Sequence, residues 1–203
     1  YCQVNVAASS SDSSYDHIPE QAQWQLTPGA KLLHVCSNET IGGVQFKQFP
    51  DSTVPLVADM SSDILSRPVD VDQFGLIYAG AQKNIGPAGL TVIIVRKDLC
   101  GQARNETPTF LDYAAQADAD SMSNTPPTYS WYLAGLVFQW AKAQGGLVAI
   151  ADHNEAKAKR LYDAIDSSNF YTAPVQPAVR STMNVPFTLA DAELDKAFLS
   201  GAE

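Results

Sequence analysis

Two residues of opposite charge, Asp59 and Lys83, are the first candidates for chemistry in this sequence. Asp59 follows the apolar run Val54–Ala58, and Lys83 lies shortly after a second run, Leu76–Ala79. Runs of this length and composition are typical of buried strands. In open α/β sheets, ligands bind outside the carboxyl ends of the strands. We therefore expect the carboxylate and the amine to face one small molecule.

Residues 79–89 surround Lys83 with three glycines and a proline and contain no acidic residue. Such a loop can bring its backbone close to a ligand in a fixed conformation. A P-loop is excluded, because Gln82 precedes the lysine and Asn84 follows it. A lysine with an aspartate partner is typical of pyridoxal-phosphate enzymes, where the acid pairs with the pyridinium nitrogen. On spacing alone, this interpretation stands beside that of a structural or surface lysine.

Two further apolar runs, Leu32–Cys36 and Leu90–Val95, complete a set of four short predicted strands. The runs are continuous rather than alternating, which indicates a sheet covered on both faces. Such coverage is typical of layered α/β folds. We therefore predict an α/β fold with a mostly parallel sheet covered by helices.

The longest helical pattern covers Tyr129–Gln144, with Thr128 as its predicted cap and two glycines after its end. Apolar side chains form two stripes on this helix, so we expect it to be buried over much of its circumference. A more polar helix is predicted from Leu147 to Asp166, and a short one over Ser61–Leu65.

A change of composition at Thr172–Pro177, which contains two prolines, indicates a linker. A strand at Met183–Phe187 and a helix at Asp191–Leu199 are predicted beyond it. We therefore divide the chain into a large domain over 1–170, incomplete at its N-terminal side, and the incomplete beginning of a smaller α+β domain over 171–203.

Composition excludes several classes of function. Hydrophobic residues make up 45% of the chain and charged residues 17%, which is a globular balance. The net charge of −9 argues against nucleic-acid binding, which needs clustered Lys and Arg. The three cysteines and three histidines lack ligand spacing, so no metal site is expected. No stretch approaches the roughly 18 apolar residues of a membrane helix, and no signal peptide is recognised. We expect a cytoplasmic protein.

Five segments of the chain, in unbroken order, closely resemble the phosphoserine aminotransferases, a family of class V, fold-type I pyridoxal-phosphate enzymes. The segment around Lys83 is the most specific of them, and the resemblance extends over essentially the whole chain. The segments are residues 37–44, 58–68, 78–89, 123–128 and 183–187.

The resemblance implies pyridoxal 5'-phosphate as the cofactor and assigns roles to two catalytic residues. Lys83 matches the lysine that forms the Schiff base, and Asp59 matches the partner of the pyridine nitrogen. The family transfers an amino group between glutamate and 3-phosphohydroxypyruvate, giving phosphoserine and 2-oxoglutarate in serine biosynthesis. In many bacteria it also serves a step of pyridoxine synthesis.

The resemblance also implies four further cofactor contacts. Thr40 matches a threonine near the ring hydroxyl, and Gln82 matches a contact to the cofactor phosphate. Asn124 and Thr125 match a pair that reaches this phosphate from the other subunit of a homodimer.

The family is longer than this chain at both ends, and its substrate-binding basic residues have no counterpart here. We interpret Arg67 and Arg180 as structural residues rather than replacements. The chain is expected to be partial, to bind the cofactor weakly and to transaminate poorly alone. Two alternatives stay open: another class V aminotransferase or lyase, and a non-catalytic α/β fragment in which Lys83 is inert.

Overall fold

A computed structural model describes residues 2–202, so Tyr1 and Glu203, the outer ends of the two predicted domains, lie outside the described residues. The strands are β1 Leu33–Cys36, β2 Leu56–Asp59, β3 Leu76–Gly80, β4 Thr91–Val95, β5 Tyr171–Thr172 and β6 Thr188–Leu189. The α-helices are α1 Tyr113–Asp118, α2 Thr128–Ala143, α3 Gly146–Asp166 and α4 Asp195–Ala202.

The described residues form two compact units that are interleaved along the chain. The first unit contains the residues up to Gly29, the segment Ser37–Pro50 and the chain from Ala151 onward. The second unit contains Ala30–Cys36 and Asp51–Ile150. The predicted domain boundary near residue 170 stays a prediction.

The second unit is built on a four-stranded sheet in the order β1-β2-β3-β4. β1, β2 and β3 run parallel, and β4 runs antiparallel to β3. A short loop, residues 81–90, joins β3 to β4, whereas parallel neighbours need a longer crossover. The prediction of a mostly parallel sheet with helices is confirmed.

Coverage of this sheet is uneven. One face is buried, and its side chains come from alternate positions of three strands: Leu33, Val35, Leu56, Ala58, Ile77 and Ala79. The opposite face of β1, β2 and β3 includes His34, Asp59 and Tyr78 and is partly exposed. Both Ile93 and Ile94 of β4 are exposed. The continuous apolar runs therefore predicted the strands correctly, but within residues 2–202 only one face of β1, β2 and β3 is fully covered.

Helix α2 differs from its prediction at its start and in its burial. Pro127 occupies the N-cap position and no side chain caps the helix, so the predicted cap by Thr128 is wrong. The buried residues of α2 are small: Ser130, Ala134 and Ala141. Trp140 is 57% exposed, which contradicts the expected burial over much of the circumference. An apolar stripe shows which face of a helix could be covered, but not that it is covered.

The predicted helix over Ser61–Leu65 is also wrong, because this segment forms turns instead. The N–H groups of Asp63 and Ile64 both donate to the carbonyl oxygen of Met60. Leu65 then adopts a φ of 62°, in the left-handed region, which stops a helix from continuing.

The first unit packs its part of α3 through Asn154, Ala158, Tyr162 and Ile165. β5 and β6 form a separate antiparallel pair. An edge-to-face cluster of aromatic rings surrounds this pair: Phe170, Tyr171, Phe187 and Phe198. The strand predicted at Met183–Phe187 is wrong, since the strand begins only at Thr188.

Within residues 2–202, no helix combines the length and the apolar composition needed to span a membrane.

Candidate active site

Asp59 is the last residue of β2, and its carboxylate is held by the backbone of the following turn. The N–H of Ser61 donates to Oδ1 of Asp59 at 2.9 Å. The hydroxyl oxygen of Ser61 in turn accepts a 3.0 Å hydrogen bond from the N–H of Gly80, the last residue of β3. Ser61 therefore links the carboxyl ends of two neighbouring parallel strands.

Lys83 lies in the loop directly after β3, and its side chain is exposed. The carbonyl oxygen of Ala81 closes this loop by accepting from the N–H groups of Ile85, at 3.0 Å, and Gly86, at 2.8 Å. Ala81 and Ile85 are buried at 0% and 1% exposure. The lysine therefore projects from a turn whose two sides are anchored in the core.

Two side chains hold the rest of the lysine loop. The amide nitrogen of Asn84 donates to the carbonyl oxygen of Ile64 at 2.5 Å. The hydroxyl of Ser130, near the start of α2, donates to the carbonyl oxygen of Ala88 at 3.0 Å. The loop is thus fixed on both sides of Lys83.

The side chain of Gln82 lies close to Gly80. A Cβ atom at position 80 would lie 2.8 Å from Oε1 and 3.0 Å from Nε2 of the Gln82 side chain. The amide of Gln82 therefore lies directly against the end of β3. This brings Asp59, Gln82 and Lys83 to the same edge of the sheet.

Tyr78 belongs to this edge and was missed by the sequence analysis. It lies directly opposite Asp59 in the register of β2 and β3. Its hydroxyl is hydrogen-bonded to the Asp59 carboxylate. Removal from water, then the negative charge of Asp59 and this hydrogen bond, raise the pKa of Tyr78 to about 12. Only the pairing register could have identified Tyr78.

Thr40 lies in the first unit, in an exposed turn between Glu39 and Val44. The N–H of Glu39 donates to the carbonyl oxygen of Val44, and the N–H of Gly43 donates to that of Glu39, both at 2.8 Å. Gly43 has a φ of 71°, which favours glycine. The geometry of this turn is therefore well defined.

A buried polar cluster anchors the Thr40 turn within the first unit. Asn38, next to the turn, is 1% exposed. Its amide nitrogen donates to Oδ1 of Asn184 at 2.8 Å, and its amide oxygen accepts from the hydroxyl of Ser181. Oε1 of Gln45 accepts from the N–H of Thr182 at 3.2 Å. The segments 37–45 and 181–184 are thus joined through side chains.

Asn124 and Thr125 lie in the segment between α1 and α2, and both are exposed. The side-chain amide of Asn124 donates to the carbonyl oxygen of Thr125 at 3.2 Å. Their placement on the surface leaves them accessible to other molecules.

The two arginines that the sequence analysis treated as structural are paired with carboxylates. Arg180 forms a bidentate ion pair with Asp166, at 2.6 and 2.9 Å, and lies over the ring of Tyr162. Hydrogen bonding to Arg180 lowers the pKa of Asp166 below its ordinary value. Arg67 lies 3.9 Å from Asp63. These partners support the structural interpretation.

The fold and the edge of the sheet define an α/β protein with a lysine and an aspartate at adjacent strand ends. The class-V aminotransferase family model matches residues 2–203, so the chain belongs to the class-V aminotransferases.

Among curated proteins, the chain is similar to the phosphoserine aminotransferase of Ectopseudomonas mendocina, with 62% identity over 100% of the chain and 56% of the relative. It is 61% identical to that of Pseudomonas aeruginosa, with the same coverage. The chain therefore spans about half the length of the curated relatives it matches.

Solved structures agree with this similarity. The phosphoserine aminotransferase of Bacillus circulans subsp. alkalophilus matches with a TM-score of 0.94 and 49% identity, over 98% of this chain and 55% of that one. The pyridoxal-phosphate-bound phosphoserine aminotransferase of Trichomonas vaginalis matches with a TM-score of 0.84 and 41% identity, over 88% of this chain and 52% of that one.

Proposed function

We propose that the chain is part of a phosphoserine aminotransferase. It would transfer an amino group reversibly between glutamate and 3-phosphohydroxypyruvate, giving phosphoserine and 2-oxoglutarate, with pyridoxal 5'-phosphate as its cofactor. The observation that carries this proposal is the placement of Asp59 and Lys83 at the carboxyl ends of adjacent parallel strands. The identity of 61–62% with enzymes of that name supports the choice of substrate.

The side chains at this edge fit the cofactor. The carboxylate of Asp59 can accept a hydrogen bond from a protonated ring nitrogen, and the amine of Lys83 can bond covalently to an aldehyde. The neutral amide of Gln82, held against Gly80, can donate to a phosphate. The bound cofactor supplies an electron sink for the electron pair left when the substrate α-carbon loses a proton.

Lys83 has two tasks in this proposal. Its amine first holds the cofactor. Once its amine is free again, Nζ of Lys83 would take the proton from the substrate α-carbon as a base and give it back as an acid. Because Lys83 is exposed in the described chain, the exclusion of water during this transfer requires other parts of the protein.

Asp59 keeps the ring nitrogen protonated. An ionised carboxylate next to the nitrogen favours the charged, protonated form of the ring. Ser61 fixes the orientation of this carboxylate through Oδ1. Loss of the negative charge would weaken the electron sink and slow the removal of the α-proton.

The remaining contacts are proposed from the family resemblance. Thr40 would lie near the ring hydroxyl, and Asn124 and Thr125 would reach the cofactor phosphate of the other subunit in a homodimer. The exposure of Asn124 and Thr125 supports this assignment. The protein would act in the cytoplasm, and residues 1–170 and 171–203 would belong to its large and small domains.

The test is the absorption spectrum of the purified chain with added pyridoxal phosphate, beside Lys83→Ala and the control Lys157→Ala, an exposed lysine on α3. After unbound cofactor has been removed by desalting, the parent and the control should keep a cofactor absorption band at a longer wavelength than that of the aromatic side chains. This band should shift with glutamate and be absent from Lys83→Ala. The same band in all three proteins would contradict the proposal.

A further inference from the structure

Tyr78 and His34 lie on the same face of the sheet as Asp59. Asp59 is opposite Tyr78 on one side and opposite Cys36 on the other, and His34 precedes Cys36 by two residues on β1. Side chains two residues apart on a strand share a face, so the side chains of His34, Asp59 and Tyr78 project on the same side of the sheet. The Tyr78 ring extends across β2 and stacks on His34, with centroids 6.0 Å apart and an interplanar angle of 26°.

The hydrogen bonds among these three residues have a defined direction. The Tyr78 hydroxyl lies 3.1 Å from Nε2 of His34 and is also hydrogen-bonded to Asp59. An ionised carboxylate only accepts hydrogen bonds, so the single proton of the Tyr78 hydroxyl is donated to Asp59. Nε2 of His34 must then carry a proton and donate it to the Tyr78 oxygen. Both the Nε2–H tautomer and the protonated ring can do so.

The environment keeps Tyr78 in the donating form. Removal from water opposes its ionisation first, and the charge of Asp59 and the hydrogen bond to Asp59 add to this effect. Cys36 and Tyr113 also raise the pKa of Tyr78. Tyr78 therefore remains a hydrogen-bond donor throughout the range in which enzymes of this kind operate.

Two donors from different elements thus hold the carboxylate of Asp59. The Ser61 N–H comes from the turn after β2, and the Tyr78 hydroxyl comes from β3. A carboxylate can accept about four hydrogen bonds, so these donors can share it with a ring N–H. A hydrogen bond to a charged group contributes more than a neutral one and also fixes the carboxylate plane.

We propose that Tyr78 is a positioning residue for the Asp59 carboxylate, and that His34 positions the Tyr78 hydroxyl through its Nε2–H. This inference rests on the proposed function, because Asp59 contacts a cofactor only if the protein binds pyridoxal 5'-phosphate as proposed. The role differs from a structural one in that it acts only through the carboxylate of Asp59.

The first test uses the chain without cofactor, with ¹³C at Cζ of its tyrosines. Its Tyr78 signal is the one that disappears in Tyr78→Phe. At about pH 11 an ordinary tyrosine is mostly ionised, whereas Tyr78 of the parent should stay protonated. In Asp59→Asn, Tyr78 should be more ionised, because the neighbouring charge is gone. An unchanged Tyr78 signal in Asp59→Asn would overturn the proposal.

The second test is a double-mutant cycle on the dissociation constant of pyridoxal 5'-phosphate. Tyr78→Phe should weaken binding about tenfold, as the loss of a hydrogen bond to a charged group predicts. In the Asp59→Asn background the same change should have little further effect. Equal effects in both backgrounds, or no effect in either, would overturn the proposal.

Matched variants distinguish a positioning role of Tyr78 and His34 from a general loss of protein stability. His34→Gln keeps an N–H donor and should retain affinity, whereas His34→Leu should lose part of it. Tyr132→Phe, which removes an exposed hydroxyl from α2, should leave affinity unchanged. The unfolding temperature without cofactor should be similar in Tyr78→Phe and the parent, and a large decrease would assign Tyr78 a structural role instead.

The outcomes also separate this inference from the proposed function. If the parent binds the cofactor and Tyr78→Phe binds it equally well, the inference fails and the proposed function stands. If the parent binds no cofactor although Tyr78 responds to Asp59→Asn, the proposed function fails, and the positioning role fails with it.

Discussion

The hydroxyl of Ser181 donates a 2.5 Å hydrogen bond to the side-chain amide oxygen of Asn38, across 143 positions of sequence. The same hydroxyl oxygen accepts from the backbone N–H groups of Met183 and Asn184, each at 3.0 Å. Ser181 is fully buried. One side chain thus organises the segment before β6 and fastens it to the turn that presents Thr40.

Replacement of Ser181 by Ala should destabilise the chain substantially. The change leaves the Asn38 oxygen and two backbone N–H groups buried without this partner, at a cost of about 1–3 kcal/mol. Urea denaturation should show a lower unfolding midpoint. Ser123→Ala, at an exposed position, is the control and should stay within about 0.5 kcal/mol of the parent. Equal stabilities of the two variants would contradict the assigned role of Ser181.

A Gly43→Ala substitution should be still more damaging. Its Cβ would lie 2.3 Å from Cδ of Pro186, and the φ of 71° disfavours any residue with a side chain. We expect a loss of about 3 kcal/mol from strain and overpacking together. Gly135→Ala on α2, where an added Cβ meets nothing within 4 Å, should instead be neutral or slightly stabilising. Comparable unfolding curves for these two variants would argue against the tight contact with Pro186.

Asp16 should make stability depend on pH in the acid range. Its hydrogen bond from Ser13, followed by that with His17, lowers the pKa of its carboxyl from 3.8 to about 2. Because the folded pKa is the lower one, the stabilisation is complete above 3.8 and disappears as the pH falls toward about 2.

The variant Asp16→Asn should therefore be less stable than the parent at neutral pH, with a difference that vanishes near pH 2. Denaturation curves at several pH values measure this difference. Asp152→Asn, an exposed carboxylate on α3, serves as the control. A difference between Asp16→Asn and the parent that stays constant with pH would show that Asp16 does not act through its charge.

An amide at position 59 should slow the chemistry more than it weakens cofactor binding. Asp59→Asn keeps the shape of the side chain but removes the charge that, in the proposed function, would hold the ring nitrogen protonated. We expect the rate of amino transfer from glutamate to the bound cofactor to fall about 10²-fold or more. Single-turnover absorbance measurements with saturating cofactor give this rate. A rate close to that of the parent would remove Asp59 from the proposed mechanism.

The elements that carry the site were predictable from the sequence. β2 and β3 begin and end within two residues of their predicted positions, because short runs of apolar residues between turn residues strongly favour strands. Asp59 and Lys83 were found because strand ends in α/β sheets bind ligands. Their roles in catalysis stay predictions.

Other features depend on pairing that the sequence does not reveal. Tyr78 meets Asp59 only because β2 and β3 pair in one particular register. The segment 183–187 was mistaken for a strand, because the polar partner of Asn184, Asn38, lies far away in sequence. The exposure of Trp140 shows that an apolar helix face cannot by itself predict what packs on it.

The interleaving of the two units restricts how the chain can fold during synthesis. The chain passes from one unit to the other four times, at positions 29–30, 36–37, 50–51 and 150–151. The strands of the second unit are all translated by residue 95, whereas Ser181 leaves the ribosome much later. Since domains form as their residues emerge, we expect the sheet to assemble first. Asn38 and the Thr40 turn can be completed only after Ser181 has been synthesised, so we expect the nascent chain to need protection from aggregation until the segment that follows Ile150 has been made.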